Sequence, residues 1–124
     1  MKITRFEDIE AWKAARELQK TVYEITRSKG FALDLDLRRQ MRRAVASSMA
    51  NIAEGFDAGT DPEFRRFLKI ARRSATELQS HLYIALDQEL LQQDSFDRVY
   101  EKAGSVRRLI GGFIRYLETH AKRS

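Results

Sequence analysis

From Phe64 to Ala85 the apolar residues Phe64, Leu68, Ala71, Ala75, Leu78, Leu82 and Ala85 recur at spacings of four and three without a slip. That rhythm keeps one face of an α-helix apolar, and it does not fit the two-residue alternation of a strand. Three further stretches repeat it. Ala11, Ala15, Leu18, Val22 and Ile25 form a narrow stripe with Trp12 beside it, predicting a first helix over about Asp8 to Ser28. Leu37, Met41, Ala44, Val45, Met49, Ile52 and Phe56 predict a second. A fourth should start near Asp94, with Phe96, Val99, Ala103, Val106, Ile110, Phe113 and Leu117 on its seam. One proline and six glycines leave little to interrupt such helices.

The boundaries carry their own signals. Gly30, in "SKGF", is expected to take the left-handed conformation that closes the first helix. Asp34 or Asp36 can cap the second. "DAGTDP" then breaks the chain, and Asp61 as N-cap with Pro62 at the first helical position opens the third. Four amphipathic helices on short loops bury their seams best as an all-α, antiparallel up-down four-helix bundle, here one domain spanning 1–124. The near-heptad rhythm suits shallow crossing angles. Gly111 and Gly112 cost about 1 kcal/mol each inside the fourth helix, marking either a close contact or a weak point.

Several chemistries are excluded by what the chain lacks. Without cysteine there is no disulfide scaffold, thiolate zinc site or cysteine nucleophile, and a cytoplasmic setting is expected. No apolar run is long enough to cross a bilayer, so no membrane partner is expected. "MKITRFEDIEAW" turns acidic at once and lacks a signal-peptide core, so it is expected to be the mature start of a soluble chain. A di-iron bundle needs paired Glu-x-x-His segments, and neither His81, four residues after Glu77, nor His120, in a basic tail, supplies one. Ser47 and Ser48 have no identifiable base. No catalytic residue, metal site or cofactor is assigned, and the chain reads as a non-enzyme.

The charge is more informative. Nine Lys or Arg and four Asp or Glu lie between Arg38 and Arg73, so this segment carries the whole net charge of +5. "LRRQMRR" sets Arg38, Arg39, Arg42 and Arg43 on adjacent turns, and "FRRFLKIARR" does the same for Arg65, Arg66, Lys69, Arg72 and Arg73. Five cations within nine residues, with no acid between them, depart from the mixed signs of an ordinary solvated face. Guanidinium forks suit phosphate oxygens, so the expected function is binding of RNA, DNA or a nucleoprotein through phosphates. The alternative is an adaptor whose basic face meets an acidic protein. Aromatic residues that could stack on bases are scarce on that face, which favours backbone contact.

"NIAEGF" needs a separate account. Ala44, Ser48, Asn51 and Gly55 form a track of small or short polar residues that lets a neighbouring helix approach. Asn51 and Glu54 are expected to tie helices together by buried or half-buried hydrogen bonds, with Arg42, Arg43 or Glu77 in the same network. Gly55 would allow close approach or the turn out of the helix.

"FEDIEAWKAARELQKTVYEIT", "RRAVASSMANIAEGF", "EFRRFLKIARRSATELQ" and "LIGGFIRYL" resemble the successive helices of the four-helix bundle proteins encoded within intervening sequences of 23S ribosomal RNA genes. The accessory variability determinant of diversity-generating retroelements is similar in fold. The resemblance covers nearly the whole chain and rests best on "NIAEG" with Arg42 and Arg43 before it. Family members read close to "RRAAVSIPSNIAEG"; Met49 and Ala50 here replace the proline and serine, which implies a straighter second helix. The resemblance implies a ring-shaped homo-oligomer, with a pentamer favoured, association with nucleic acid and no catalytic activity. Trp12, Tyr23, Phe67 and Tyr83, off the main seams, are candidates for the contacts between copies.

Overall fold

The structure is a computed structural model that describes residues 2–120, so the last part of the basic tail lies outside the described residues. It contains four long helices: α1 (Glu10–Thr26), α2 (Leu35–Asp57), α3 (Asp61–Asp87) and α4 (Gln93–Thr119). Short 3-10 turns at Phe6–Asp8 and Lys29–Leu33 flank α1, and no strand occurs among the described residues. Each helix packs on two neighbours in a closed cycle, with α1 touching both α2 and α4. The result is a four-helix bundle. None of its helices is long and apolar enough to cross a membrane.

The seams read from spacing line the core. All seven seam residues of α3 are buried, and Leu18, Val22, Met41, Val45, Ile52, Val99, Val106 and Ile110 are fully enclosed around them. Two details differ. Met49, Phe56 and Phe113 are half-buried, and Ile114 replaces Phe113 in the core of α4. A straight helix drifts against a seven-residue repeat, and here a step of four from Ile110 follows the true face better than a step of three. Phe113 still packs edge-on against Phe64, with ring centroids 5.2 Å apart.

Two boundary expectations are corrected. The first helix ends at Arg27 in ordinary right-handed geometry, and Gly30 lies in the following 3-10 turn without a positive φ. Its role is close approach: a Cβ there would sit 3.3 Å from the Leu90 carbonyl oxygen. The N-cap of α3 is Thr60, whose extended backbone and Oγ1, accepting from the Glu63 amide at 3.3 Å, meet the cap requirement. Asp61 is thus the first helical residue and Pro62 the second. Asp34 caps α2 as expected, with Oδ1 accepting from the Leu37 amide at 3.0 Å.

Polar contacts fix how the helices pair. Ser48 Oγ donates to the Ala71 carbonyl at 3.1 Å, and Ser47 Oγ meets Ser74 Oγ at 2.9 Å. Gly55 lies closest to Phe64 and Phe67. Between α3 and α4, Gln79 Nε2 donates to the Tyr100 carbonyl at 3.2 Å, and Arg107 Nη1 donates to Gln79 Oε1 at 3.0 Å.

Candidate nucleic-acid interface

The "NIAEGF" segment sits at the α2–α3 contact. At Gly55 a Cβ would lie 2.7 Å from Phe67 Cβ and 2.9 Å from Phe64 Cδ1, so only hydrogen fits between these helices. Asn51 bonds within its own helix, Nδ2 donating to the Ser47 carbonyl at 2.8 Å and to Ser47 Oγ at 3.1 Å. Its link to α3 is therefore relayed through the Ser47–Ser74 pair. Glu54 is exposed, and of its expected partners Arg42 and Glu77 are engaged elsewhere while Arg43 is exposed. Arg42 Nε donates to Thr26 Oγ1 at 2.9 Å, and its guanidinium lies 4.3 Å over the Tyr23 ring. Glu77 pairs with His81 at 3.3 Å. The cross-helix ties come from Ser47, Ser48, Ser74 and Arg42; the exposed Glu54 lacks a place in them because its helical position faces outward.

The basic run of α3 divides by function. Arg66 is neutralised locally: it pairs with Glu63 at 3.1 Å and its guanidinium lies 4.7 Å over Phe67. The Arg66 hydrogen bonds hold the Glu63 carboxyl below the usual carboxylate range and push Arg66 up. Lys69, Arg72 and Arg73 have no carboxylate within ion-pair distance among the described residues. Lys69 and Arg73 are exposed, whereas Arg65 and Arg72 are half-buried. On α2, Arg39 pairs with Asp36 at 3.6 Å, Arg38 is half-buried and Arg43 is exposed. Arg42 serves the α1–α2 contact.

Arg72 belongs to a feature that no sequence window displays. Seven residues bring a helix back to the same face, so Arg72 and Gln79 of α3 align, as do Gly104 and Gly111 of α4. The two pairs border a groove of about 540 Å³, lined also by Tyr100, Glu101, Arg107, Arg108 and Arg115. Its floor is bare because the glycines carry no side chain. Arg72 Nη1 and Arg115 Nη1 each lie 3.6 Å from the point a Gly111 Cβ would occupy, hence no farther than twice that from one another. Like charges that close repel by on the order of 1 kcal/mol, which an anion between them would relieve. Among the described residues Glu101 is the one carboxylate lining the groove, and it is held by Arg108 at 2.7 Å. Among the described residues, Arg72, Arg107 and Arg115 are left facing it without an acid.

Beside the groove stands an aromatic group. The Tyr83 ring lies 4.9 Å from Phe96 and 5.7 Å from Tyr100, while Phe96 and Tyr100 stack at 5.3 Å. Tyr83 is 49% exposed. The Tyr100 hydroxyl beside it pushes the Tyr83 phenol up, away from ionisation. Trp12, Tyr23 and Phe67 are half-buried, each with an arginine over its ring. Sequence reading did not single out Arg107, Arg108, Arg115 and Tyr100. The available signal was the seven-residue spacing of Gly104 and Gly111 with arginines three or four residues after each.

Among the described residues, no cluster of His, Asp and Glu could hold a metal ion. The family model described as "23S rRNA-intervening sequence protein" matches residues 7–112. No curated protein matches the chain. One solved structure with a similar fold is a protein of unknown function from the S23 ribosomal protein family of Bacteroides thetaiotaomicron. It is 18% identical, covers 85% of this chain and 98% of its own, and superposes with a TM-score of 0.77.

Proposed function

This chain belongs to the 23S rRNA-intervening sequence protein family, and from that membership we propose that it is a non-enzymatic nucleic-acid-binding protein that holds phosphates with the cations of α3 and α4. The observation that carries the reading is a convergence of unneutralised charge. Among the described residues, Lys69, Arg72 and Arg73 lack acidic partners, and Arg72 meets Arg115 over Gly111 with no carboxylate between them. A chain that needed these cations only for solubility would pair or separate them. Guanidinium groups brought together and left open fit phosphate oxygens. RNA is the favoured target, with Arg65 and the free α2 cations Arg38 and Arg43 as supplements.

The reading extends to assembly and setting. Pairing of Gly55 with Phe64, Ser48 with Ala71 and Ser47 with Ser74 supports an antiparallel up-down order within a single domain. We take the protein to be a cytoplasmic, ring-shaped homo-oligomer, five copies favoured; repeated basic faces would strengthen binding by multivalency. Leu109 and Tyr116, 42% and 45% exposed beside Ile3 and Phe113, provide an apolar surface for such contacts.

The test is binding to a labelled structured RNA by the wild type and by a variant carrying Arg65→Glu, Lys69→Glu and Arg72→Glu. Solution mass must match between the two, so that lost binding cannot mean lost assembly. Collapse of binding in the variant supports the reading. Equal binding, or recovery of one defined acidic protein in place of RNA, overturns it in favour of an adaptor.

A further inference from the structure

We propose that the groove between α3 and α4 takes one unstacked nucleotide of a single strand, its phosphates on Arg72, Arg107 and Arg115 and its base against Tyr100 and Tyr83. This rests on the nucleic-acid reading above and names the form of strand recognised. Three observations carry it. The first is the empty floor: Gly104 and Gly111 are unfavourable helix residues, and the space above them is met only by the ends of Arg72, Gln79, Arg108 and Arg115.

The second is preorganisation. Gln79 is 5% exposed, an unusual position for a glutamine, and both ends of its amide are used. Its oxygen accepts from Arg107 and its nitrogen donates to the Tyr100 carbonyl. One buried side chain thus fixes the direction of a phosphate-binding arginine and ties it to the helix turn that presents an aromatic ring. Arg108, by contrast, is turned to Glu101 and Ser105.

The third is the pairing of cationic and aromatic character. Tyr100 and Arg107 are separated by about 10 Å along α4, the reach of a nucleoside with the phosphates on either side of it. Exposed Tyr83 stands edge-on to Tyr100, ring centroids 5.7 Å apart, and presents a second aromatic ring beside it. Cations that track a backbone beside aromatic rings that receive bases are the two requirements of single-strand binding. A duplex keeps its bases inside the stack, so it can satisfy the arginines and leaves the tyrosines unused.

The experiment compares a labelled single-stranded RNA with its duplex of equal length at one low salt concentration. Wild type, Tyr83→Ala and Gly111→Leu are measured, with helicity and melting temperature confirming that each variant folds. The proposal expects wild type to prefer the single strand. Tyr83→Ala should weaken single-strand binding by about fivefold to 150-fold, the range for losing one stacked base, and leave duplex binding unchanged. Gly111→Leu, which fills the groove without altering charge, should weaken the single strand as well. Equal loss for both strand forms, or no loss in either variant, overturns the groove assignment and leaves the phosphate-binding reading standing. If neither form binds wild type, both fall together.

Discussion

Replacing Gly55 by alanine inverts the usual effect of a glycine-to-alanine change inside a helix. In an exposed helix the substitution stabilises by about 1 kcal/mol, because glycine loses more backbone freedom on folding. At Gly55 the new methyl would lie 2.7 Å from Phe67 Cβ, 0.7 Å inside the 3.4 Å at which ordinary contact begins. Phe67 Cβ is fixed to the backbone and cannot rotate away, so α2 and α3 must separate. Overpacking of this kind costs about 1–3 kcal/mol. Separation also stretches the buried Ser48–Ala71 bond, now 3.1 Å, and an unpaired buried hydroxyl costs about 1–3 kcal/mol. Offsetting the helix gain leaves a net loss of about 1–5 kcal/mol.

Gly104→Ala and Gly111→Ala serve as controls in the same molecule. Their methyls would meet only flexible side-chain ends at 3.4–3.7 Å, so each variant should gain up to about 1 kcal/mol. Urea unfolding followed by circular dichroism, at one fixed protein concentration, reads all three. Gly55→Ala as stable as wild type would refute the argument that this glycine sets the α2–α3 spacing.

Two further outcomes follow from the contacts. Arg42→Ala removes a hydrogen bond to Thr26 and the stacking on Tyr23, so it should destabilise by about 1–2 kcal/mol without reducing affinity for RNA; denaturation paired with a binding titration checks both halves. Glu101→Gln frees Arg108 from its ion pair, and RNA affinity should rise at low salt, most visibly as a steeper dependence of affinity on salt.

The fold was legible because its information is local. Each seam is a run of apolar residues in one segment, and the seven α3 positions are buried as their spacing requires. The N-caps of α2 and α3 were legible to within a residue. Thr60 and Asp61 can both accept an amide hydrogen bond, and backbone geometry decides between them. Gly30 reads as a helix terminator when only its own segment is considered; the Leu90 carbonyl that explains it comes from the other side of the chain.

The candidate site was legible only in part, for the same reason. The run from Arg65 to Arg73 is conspicuous in sequence, yet Arg66 is engaged by Glu63, and Arg72 turns towards partners on α4. Arg107, Arg108 and Arg115 enter the site through the α3–α4 register, which no single segment encodes. The same register gives Gly111 its meaning as a groove floor. Asn51 was a fair reading of a polar residue beside a helix contact, but its reach is one turn along α2, and Ser47 completes the crossing.

The central claim is that open cations of α3 and α4 hold nucleic-acid phosphates. Its most direct test is the affinity of the wild-type protein for a single-stranded RNA across a salt series, plotted as the logarithm of the binding constant against that of salt concentration. Each neutralised phosphate contributes about −0.7 to the slope, so four contacts give about −3. A line of that steepness is the expected result. A flat line, or no binding at the lowest salt, would contradict the account.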